Sequence, residues 1–539
     1  MSVSRRSFLC SLIATTATAS HSPLLKAQPP LASLRPKEDS RPNIIVIMAD
    51  DMGFSDLGCY GGEVHTPNID SLAESGLRFT QFYNCARCCP SRASLLTGLD
   101  NHQAGVGDMI NDLGTSNYQG YLGKNAVTIA EALKGSGYRS LMVGKWHVGE
   151  EKGHWPVDRG FERYFGLISG ACNYFRLDPG RKMALENQPY TPPANGFYMT
   201  DAFTDHAIAL VDEYGKQPNP YFLYLAYTAP HWPLHAPPED IERNKGHYRE
   251  GWDQLRLARH QRQIKMGLLD ERWQLTDRDP TVPAWENVSD KADLERRMEV
   301  YAAQIERMDQ GIGRVIQKVK DLGQEENTLI LFLADNGACH EVVERGKPGT
   351  EMGTADSFSS YGRGWANASN TPFRLYKHWV HEGGISAPLI AKWPRQIKRK
   401  NVFVRQPAHI TDIMPTVLEL AGVSYPRIYE GHDVIPLAGE SLVPVLQGKS
   451  WKGHGAMYWE HEGNRAVREG KWKLVSRAPE RWELYDMESD RTENHDLSGT
   501  YPEVVQRMTG MYEAWASKVG VLPREQILQD LKNRNKTKK

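Results

Sequence analysis

NIIVIMADD, residues 43–51, is a continuous apolar run, rich in β-branched side chains, that stops abruptly at two aspartates. A run without polar alternation marks a strand buried on both faces, as in a parallel sheet covered by helices. Three further stretches read the same way: Arg139 to Val143, Pro220 to Tyr227 and Thr328 to Leu333. Helical segments lie between them. Asn68 to Gly76 is one, and Thr128-Ile-Ala-Glu131 is a capping box opening another. The strongest runs from Ser289 to Leu322, where Leu294, Met298, Tyr301, Ile305, Met308, Ile312, Val315 and Val319 recur at three- and four-residue steps. Strands alternating with helices predict an α/β fold with a large, mostly parallel sheet sandwiched by helices.

In open parallel sheets, ligands bind beyond the carboxyl ends of the strands. Here those positions hold Asp50 and Asp51, Lys145 and His147, His231, and Asp335 with Asn336. Four strand ends therefore deliver carboxylates, a lysine and histidines to one edge. Past about residue 430 the pattern changes to short strands at 455–462, 466–468, 472–475 and 482–485, then a helix near 502–516. That predicts a smaller C-terminal α+β domain with a short antiparallel sheet. The expected boundaries are a signal at 1–27, a linker at 28–41, a catalytic domain at 42–430, a C-terminal subdomain at 431–525 and a basic tail at 526–539.

Composition bounds the function. The 539 residues carry 65 basic and 66 acidic side chains, a formal net charge of -1, so no basic excess exists to neutralise nucleic-acid phosphates. No apolar run reaches membrane-spanning length. The first twenty residues, with Arg5-Arg6, a short apolar stretch from Phe8 to Ala14 and small residues at 17–19, resemble a twin-arginine export signal. An exported, periplasmic or secreted protein is expected, with the export machinery as a partner.

Seven cysteines stand at 10, 59, 85, 88, 89, 172 and 339. Their spacing suggests no dense disulfide framework, and no second CxxC or HxxxH set completes a zinc site. Asp50, Asp51, Asp335 and Asn336 are instead hard oxygen ligands suited to calcium or magnesium. Arg92, Lys145 and Lys377 are candidate anion binders, and His147 and His231 candidate acids or bases. Pro90 suits the first turn of a helix, which places residue 88 at an amino end that favours anions.

CCPSRASLLTG, residues 88–98, resembles the type I sulfatase signature C-x-P-S-R-x-x-x-L-T-G. The likeness runs from about Arg41 to Val521 and is nearest to bacterial arylsulfatases, through TAPHWPLHAP, NTPFRLYKHWVHEGGI and GHDVIPLAGESLVPVLQGK. It implies an alkaline phosphatase-like fold and hydrolysis of a sulfate monoester to an alcohol or phenol plus sulfate. It also implies that Cys88, with Pro90 and Arg92 fixing the match, is oxidised to formylglycine (3-oxoalanine) by a maturation enzyme. Hydrated, that aldehyde is a geminal diol: one hydroxyl attacks sulfur to form a formylglycine-sulfate, and the second expels sulfate.

Carried over residue by residue, Asp50, Asp51, Asp335 and Asn336 match the Ca2+ ligands, with Asp335 also activating the attacking hydroxyl. Arg92 matches the residue that steadies the diol. Lys145 and His147 match the K-x-H of the family, with His147 as base. His231, and Lys377 five residues before Glu382, match the groups that bind sulfate and protonate the leaving oxygen. Leu99 replaces the frequent arginine after Gly98. Lys182 to Thr200 and Gly246 to Glu286 are expected to shape the leaving-group pocket. Two other readings share the motif: a phosphonate monoester or phosphodiester hydrolase, and an inactive sulfated-glycan binder, which would be expected to have lost ligands although all ten matched positions are filled. The natural ester, small-molecule or sugar, is left open.

Overall fold

The computed structural model describes residues 40–537. The expected export signal, Cys10 and all but the end of the linker lie outside the described residues. Asn43–Ala49 is the central strand, with Ile44 to Ala49 at most 1% exposed. It pairs in parallel with Tyr221–Ala226 on one side and Thr328–Ala334 on the other. Arg139–Gly144 lies in parallel beyond Tyr221–Ala226. All are apolar on both faces because helices cover both.

The rest of this eleven-stranded sheet is mixed. Ser386–Lys392 runs antiparallel to both Thr328–Ala334 and Leu77–Tyr83. Pro388, which has no N–H to give, sits where the register with Leu77–Tyr83 shifts between Phe79 and Phe82. A bulge there lets the sheet tolerate a proline that would otherwise break the ladder.

Lys291–Asp321 is the long helix, with the Asp290 side chain accepting from the Asp293 N–H as its cap. Met298, Tyr301, Ile305, Met308, Ile312, Val315 and Val319 are buried along its stripe, while Leu294 at the frayed end is half-buried. The capping box is present as expected: Glu131 N–H donates to Thr128 Oγ1 at 3.1 Å and Thr128 N–H to Glu131 Oε2 at 2.8 Å.

The C-terminal strands, Ala456–His461, Asn464–Glu469, Trp472–Ser476 and Glu483–Asp486, form an antiparallel sheet in sequence order. Its period of two splits the apolar side chains. Val467, Leu474 and Leu484 meet Met508 and Tyr512 of the helix Pro502–Val519. Trp459, Ala466, Val475 and Tyr485 face Tyr83, Val380 and Ile385 of the larger layer. The stretch read as a basic tail is helical over Arg524–Thr537, because Ile527 is apolar enough to pack on Leu113 and Tyr118. The six described cysteines are all free and buried.

A buried ionic knot ties the two layers. Lys473 Nζ lies 2.9 Å from Glu382 Oε1 and 2.8 Å from Glu493 Oε1, and Arg491 Nε 3.1 Å from Glu382 Oε2. Removing Lys473 takes the ion-pair partner from Glu493 and leaves Glu382 with Arg491 alone in a dry interior. Lys473→Met is expected to destabilise the protein by about 3–5 kcal/mol in denaturant unfolding. Lys471→Met, which breaks the exposed pair with Asp486, should change it by less than about 1 kcal/mol.

Candidate active site

The register Ala49↔Ala334 sets the ends of the two adjacent parallel strands level, so Asp50-Asp51 and Asp335-Asn336 emerge side by side. Asp335 N–H donates to Ala49 O at 3.2 Å, and Asp51 N–H to Asp335 Oδ1 at 3.2 Å. Asp51 holds this position with a left-handed φ of 65°. Lys145 follows the strand Arg139–Gly144 and donates from Nζ to Asp50 Oδ2 at 2.6 Å. His147, also left-handed at φ 57°, is anchored through its N–H to Ile168 O. A Cβ on Gly170 would stand 2.3 Å from His147 Nε2, so that glycine is what leaves room for the ring.

The helix Cys88–Thr97 presents residue 88 at its amino end and closes on Gly98 at φ 66°. Arg92, on the same helix, donates from Nη2 to Asp335 Oδ2 at 2.8 Å and from Nη1 to Lys145 O at 3.1 Å. Cys88 Sγ lies 3.4 Å from His147 Nδ1. Opposite, Lys377 Nζ donates to Asp51 Oδ2 at 2.9 Å and sits 3.4 Å from His231 Nε2. His231 Nδ1 is 2.6 Å from Trp232 O, which can only accept, so Nδ1 carries the proton and Nε2 turns a lone pair to Lys377. Tyr174 OH braces this turn by donating to Thr228 O and His231 O. All ten residues singled out in the sequence thus meet in one place, none more than 5% exposed.

The three carboxylates and three cations among them balance in charge, so the site can admit a divalent cation and an anion without a large excess of either sign. Two buried oxygens, Asp50 Oδ1 and Asn336 Oδ1, have no hydrogen-bond partner. Burial, reinforced by neighbouring Asp50, pushes Asp335 up to about 7. Burial also raises Asp50 against the pull of Lys145 and Arg92. Burial alone would raise Asp51 too, but His231 and Lys377 outweigh it and hold that carboxyl low. Crowded, partly orphaned hard oxygens fit a divalent cation of the Ca2+ class. His231 also lies within 4.8 Å of Asp50 and Asp51 by its ligand atom, yet its lone pair is already engaged by Lys377.

The three clustered cysteines have different surroundings. Cys88 is held well below the usual thiol range, first by a hydrogen bond from Cys89 and then by Lys145, His147 and Lys377. Burial raises Cys89 well above that range, and its Sγ packs 3.4 Å from Met109 Sδ. Burial pushes Cys85 up to about 12, and its N–H and thiol bond Ser91 Oγ and Ser94 Oγ along the helix. Burial also lowers His147, and takes His231 to about 4, so both rings are neutral at neutral pH.

The sequence reading missed the rim. Arg87 Nη1 donates to Glu341 Oε1 and Trp232 Nε1 to Glu341 Oε2, both at 2.9 Å, joining residues that each adjoin or closely follow a site residue. Adjacency to Cys88 and His231 was the available signal for Arg87 and Trp232; Gly170 carried none. By contrast, no hydrogen bond or ion pair among the described residues joins Lys182–Thr200 or Gly246–Glu286 to the ten. The first pairs as edge strands at Met183–Leu185 and Gln188–Pro189, and the second folds into the helix Gly251–Lys265, whose Arg259 is buried on Asp56 and Glu63. Thr276 to Thr281 of the second stretch nonetheless line a cavity together with Arg374, Leu375 and Trp379, two or three residues from Lys377.

Residues 42–423 match the sulfatase family, and residues 373–515 match the family described as N-sulphoglucosamine sulphohydrolase, C-terminal. An uncharacterised sulfatase of Schizosaccharomyces pombe is 35% identical over 544 residues, covering 90% of this chain and 95% of that protein. An arylsulfatase of Klebsiella aerogenes is 34% identical over 437 residues, covering 76% of this chain and 93% of its own. Among solved structures, Ps i-CgsB in complex with k-i-k-neocarrahexaose superposes with a TM-score of 0.66 at 26% identity, covering 88% of this chain and 93% of that one. With the signature at the head of its helix and these relatives along nearly its whole described length, the chain belongs to the type I sulfatase family and is a sulfuric ester hydrolase.

Proposed function

We propose that this sulfatase works through a formylglycine made from Cys88 by a maturation enzyme, with Ca2+ held by Asp50, Asp51, Asp335 and Asn336. The observation that supports it is the separation of the three cysteines: it is Cys88 whose Sγ stands 3.4 Å from His147 Nδ1 and whose thiol is lowered by its bond from Cys89 and by Lys145 and Lys377, whereas burial raises Cys85 and Cys89. Sγ of Cys88 stands where the oxygens of the converted residue belong. Formylglycine, hydrated, supplies two hydroxyls on one carbon, and Ca2+ supplies Lewis-acid charge for a sulfate oxygen.

The remaining work falls to the chain. Arg92, braced by Asp335 and the Lys145 carbonyl, orients residue 88 and adds positive charge where the sulfate sits. Lys145 and Lys377 complete the anion pocket, in a water-excluded site where such charge acts at short range and low dielectric. Asp335, raised by burial, accepts the proton of the attacking hydroxyl. His147, neutral, accepts the proton released at residue 88 when sulfate departs. Lys377 is the proton-bearing member of its pair with His231, so it donates to the leaving oxygen and His231 fixes its direction. The ester is an aryl or sugar sulfate whose organic part leaves past Arg87, Trp232 and Glu341; the relatives are named arylsulfatases, and one solved neighbour holds a neocarrahexaose. The Arg5-Arg6 signal makes the protein exported, periplasmic or secreted.

Three outcomes follow. Purified enzyme should turn over an aryl sulfate far faster than an aryl phosphonate, losing activity to a Ca2+ chelator and regaining it with Ca2+; preferred phosphonate turnover would reassign the reaction. His147 is a base only when neutral, and burial lowers its pKa, so with Ca2+ holding Asp335 ionised the acid limb of kcat should belong to His147 and lie below the ordinary imidazole value of about 6.5. In His147→Gln that limb should vanish with kcat lowered about 10²–10⁴-fold and KM little changed. Replacing Arg5 and Arg6 with Lys should retain the protein in the cytoplasm by fractionation, and unchanged export would refute the signal.

A further inference from the structure

A second cluster of metal-binding side chains lies outside the ten residues, at the seam between the Lys377 loop and the C-terminal sheet. The ligand atoms of His378, His461 and Glu462 all lie within 4.8 Å of one another. Local geometry brings them there. His461 pairs with Asn464 across the hairpin, which leaves Glu462-Gly463 as a two-residue loop with φ of 52° and 90°. Two positive φ values make the tight turn that folds Glu462 back over the last pair. His378 follows Lys377 with a left-handed φ of 93° and ties its N–H to Ala86 O at 2.8 Å.

His461 is the unexplained member. It is completely buried, yet neither ring nitrogen has a hydrogen-bond partner. An orphaned buried polar group costs about 1–3 kcal/mol and calls for a ligand. Burial, with His378, Arg87 and Arg524 nearby, keeps the ring unprotonated and its lone pair available. Its Nε2 is 3.9 Å from Glu462 Oε1. Glu462 Oε2 is already bonded by Arg524 Nη2 at 3.1 Å, the outer contact that orients a ligating carboxylate. Arg524 also faces Asp108 at 3.6 Å, so two carboxylates share one guanidinium and a negative charge is left over.

We propose that His378, His461 and Glu462 bind a borderline divalent cation of the Zn2+ class, through two imidazole nitrogens and one carboxylate oxygen. Nitrogen donors separate this site from the all-oxygen group that suits Ca2+. Bond lengths of about 2.0–2.2 Å require the three ligand atoms to draw together to about 3.3–3.5 Å, which side-chain rotation supplies. His378 Nδ1, 3.3 Å from Glu462 Oε2, is the ligating atom. For that, Nε2 must keep the ring proton. Asn464 Nδ2, now 3.3 Å from Nε2, frees it by turning its hydrogen to the His378 carbonyl oxygen 3.4 Å away. With the His378 and Glu462 side chains 26% and 23% exposed, the fourth position is open to water. The bound ion joins the residue after Lys377 to the hairpin tip, a clamp on the catalytic loop.

Full-length, Ca2+-loaded protein is titrated with ZnCl2, and bound zinc is counted after desalting; Co2+ replaces it for visible absorption. Wild type should bind one more Zn2+ than His378→Ala or Glu462→Gln, raise its melting temperature with Zn2+, and give a four-coordinate Co2+ band that both variants lose. The two half-exposed positions are chosen because His461→Ala empties a buried site and risks misfolding. Thiol binding at Cys88 and Cys89 is common to all three proteins and cancels in the difference. Equal zinc stoichiometry and equal melting shifts in the three proteins would overturn the proposal.

Discussion

Two parallel strands in register, ending level, put three carboxylates into one dry space. Ala49 pairs with Ala334, so Asp50, Asp51 and Asp335 cannot avoid one another. Like charges at that range stay ionised only beside cations. The surrounding structure answers this requirement: Lys145 arrives from the next strand but one, Arg92 from the helix that carries Cys88, and Lys377 from a loop on the far side. The same cations that settle the carboxylates make the pocket receptive to an anion.

Holding these groups at contact distance has a conformational cost. Asp51, Ala86, His147, Leu375 and His378 are left-handed residues other than glycine, and all are site residues or lie within two positions of one. Such backbone costs on the order of 1–3 kcal/mol at each position and persists where packing over-determines it. Here the over-determination comes from the C-terminal sheet. Its inner face packs on Val380 and Ile385, and its Lys473 grips Glu382, five residues from Lys377. The smaller layer thereby braces the loop that carries Lys377.

Much of this was legible in the residues. Unbroken apolar runs announced the central strands, because burial on both faces leaves no polar alternation to confuse the pattern. Polar residues just past those runs announced the site, since parallel topology sends strand ends to one edge. Leu77–Tyr83 and Ser386–Lys392 were not legible. One carries Arg78, Thr80 and Gln81, and the other carries Pro388, accommodated only by a bulge that pairing creates. The rim was hidden for a related reason: Arg87, Trp232 and Glu341 gain meaning from contacts across long sequence separations. The two stretches expected to shape the pocket looked irregular because their charged residues pair with partners far away in sequence, such as Lys182 with Glu151 and Arg259 with Asp56 and Glu63.

The account rests on one cysteine of three being spent. Cys88 is poised by its neighbours, while Cys89 and Cys85 are held as protonated thiols by burial. Mass spectrometry of the peptide spanning residues 85–98, taken from enzyme with measured aryl sulfate turnover, tests this directly. The account predicts an aldehyde or its hydrate at residue 88, with intact thiols at 85 and 89, in proportion to activity. An unmodified thiol at 88 in fully active enzyme would contradict it.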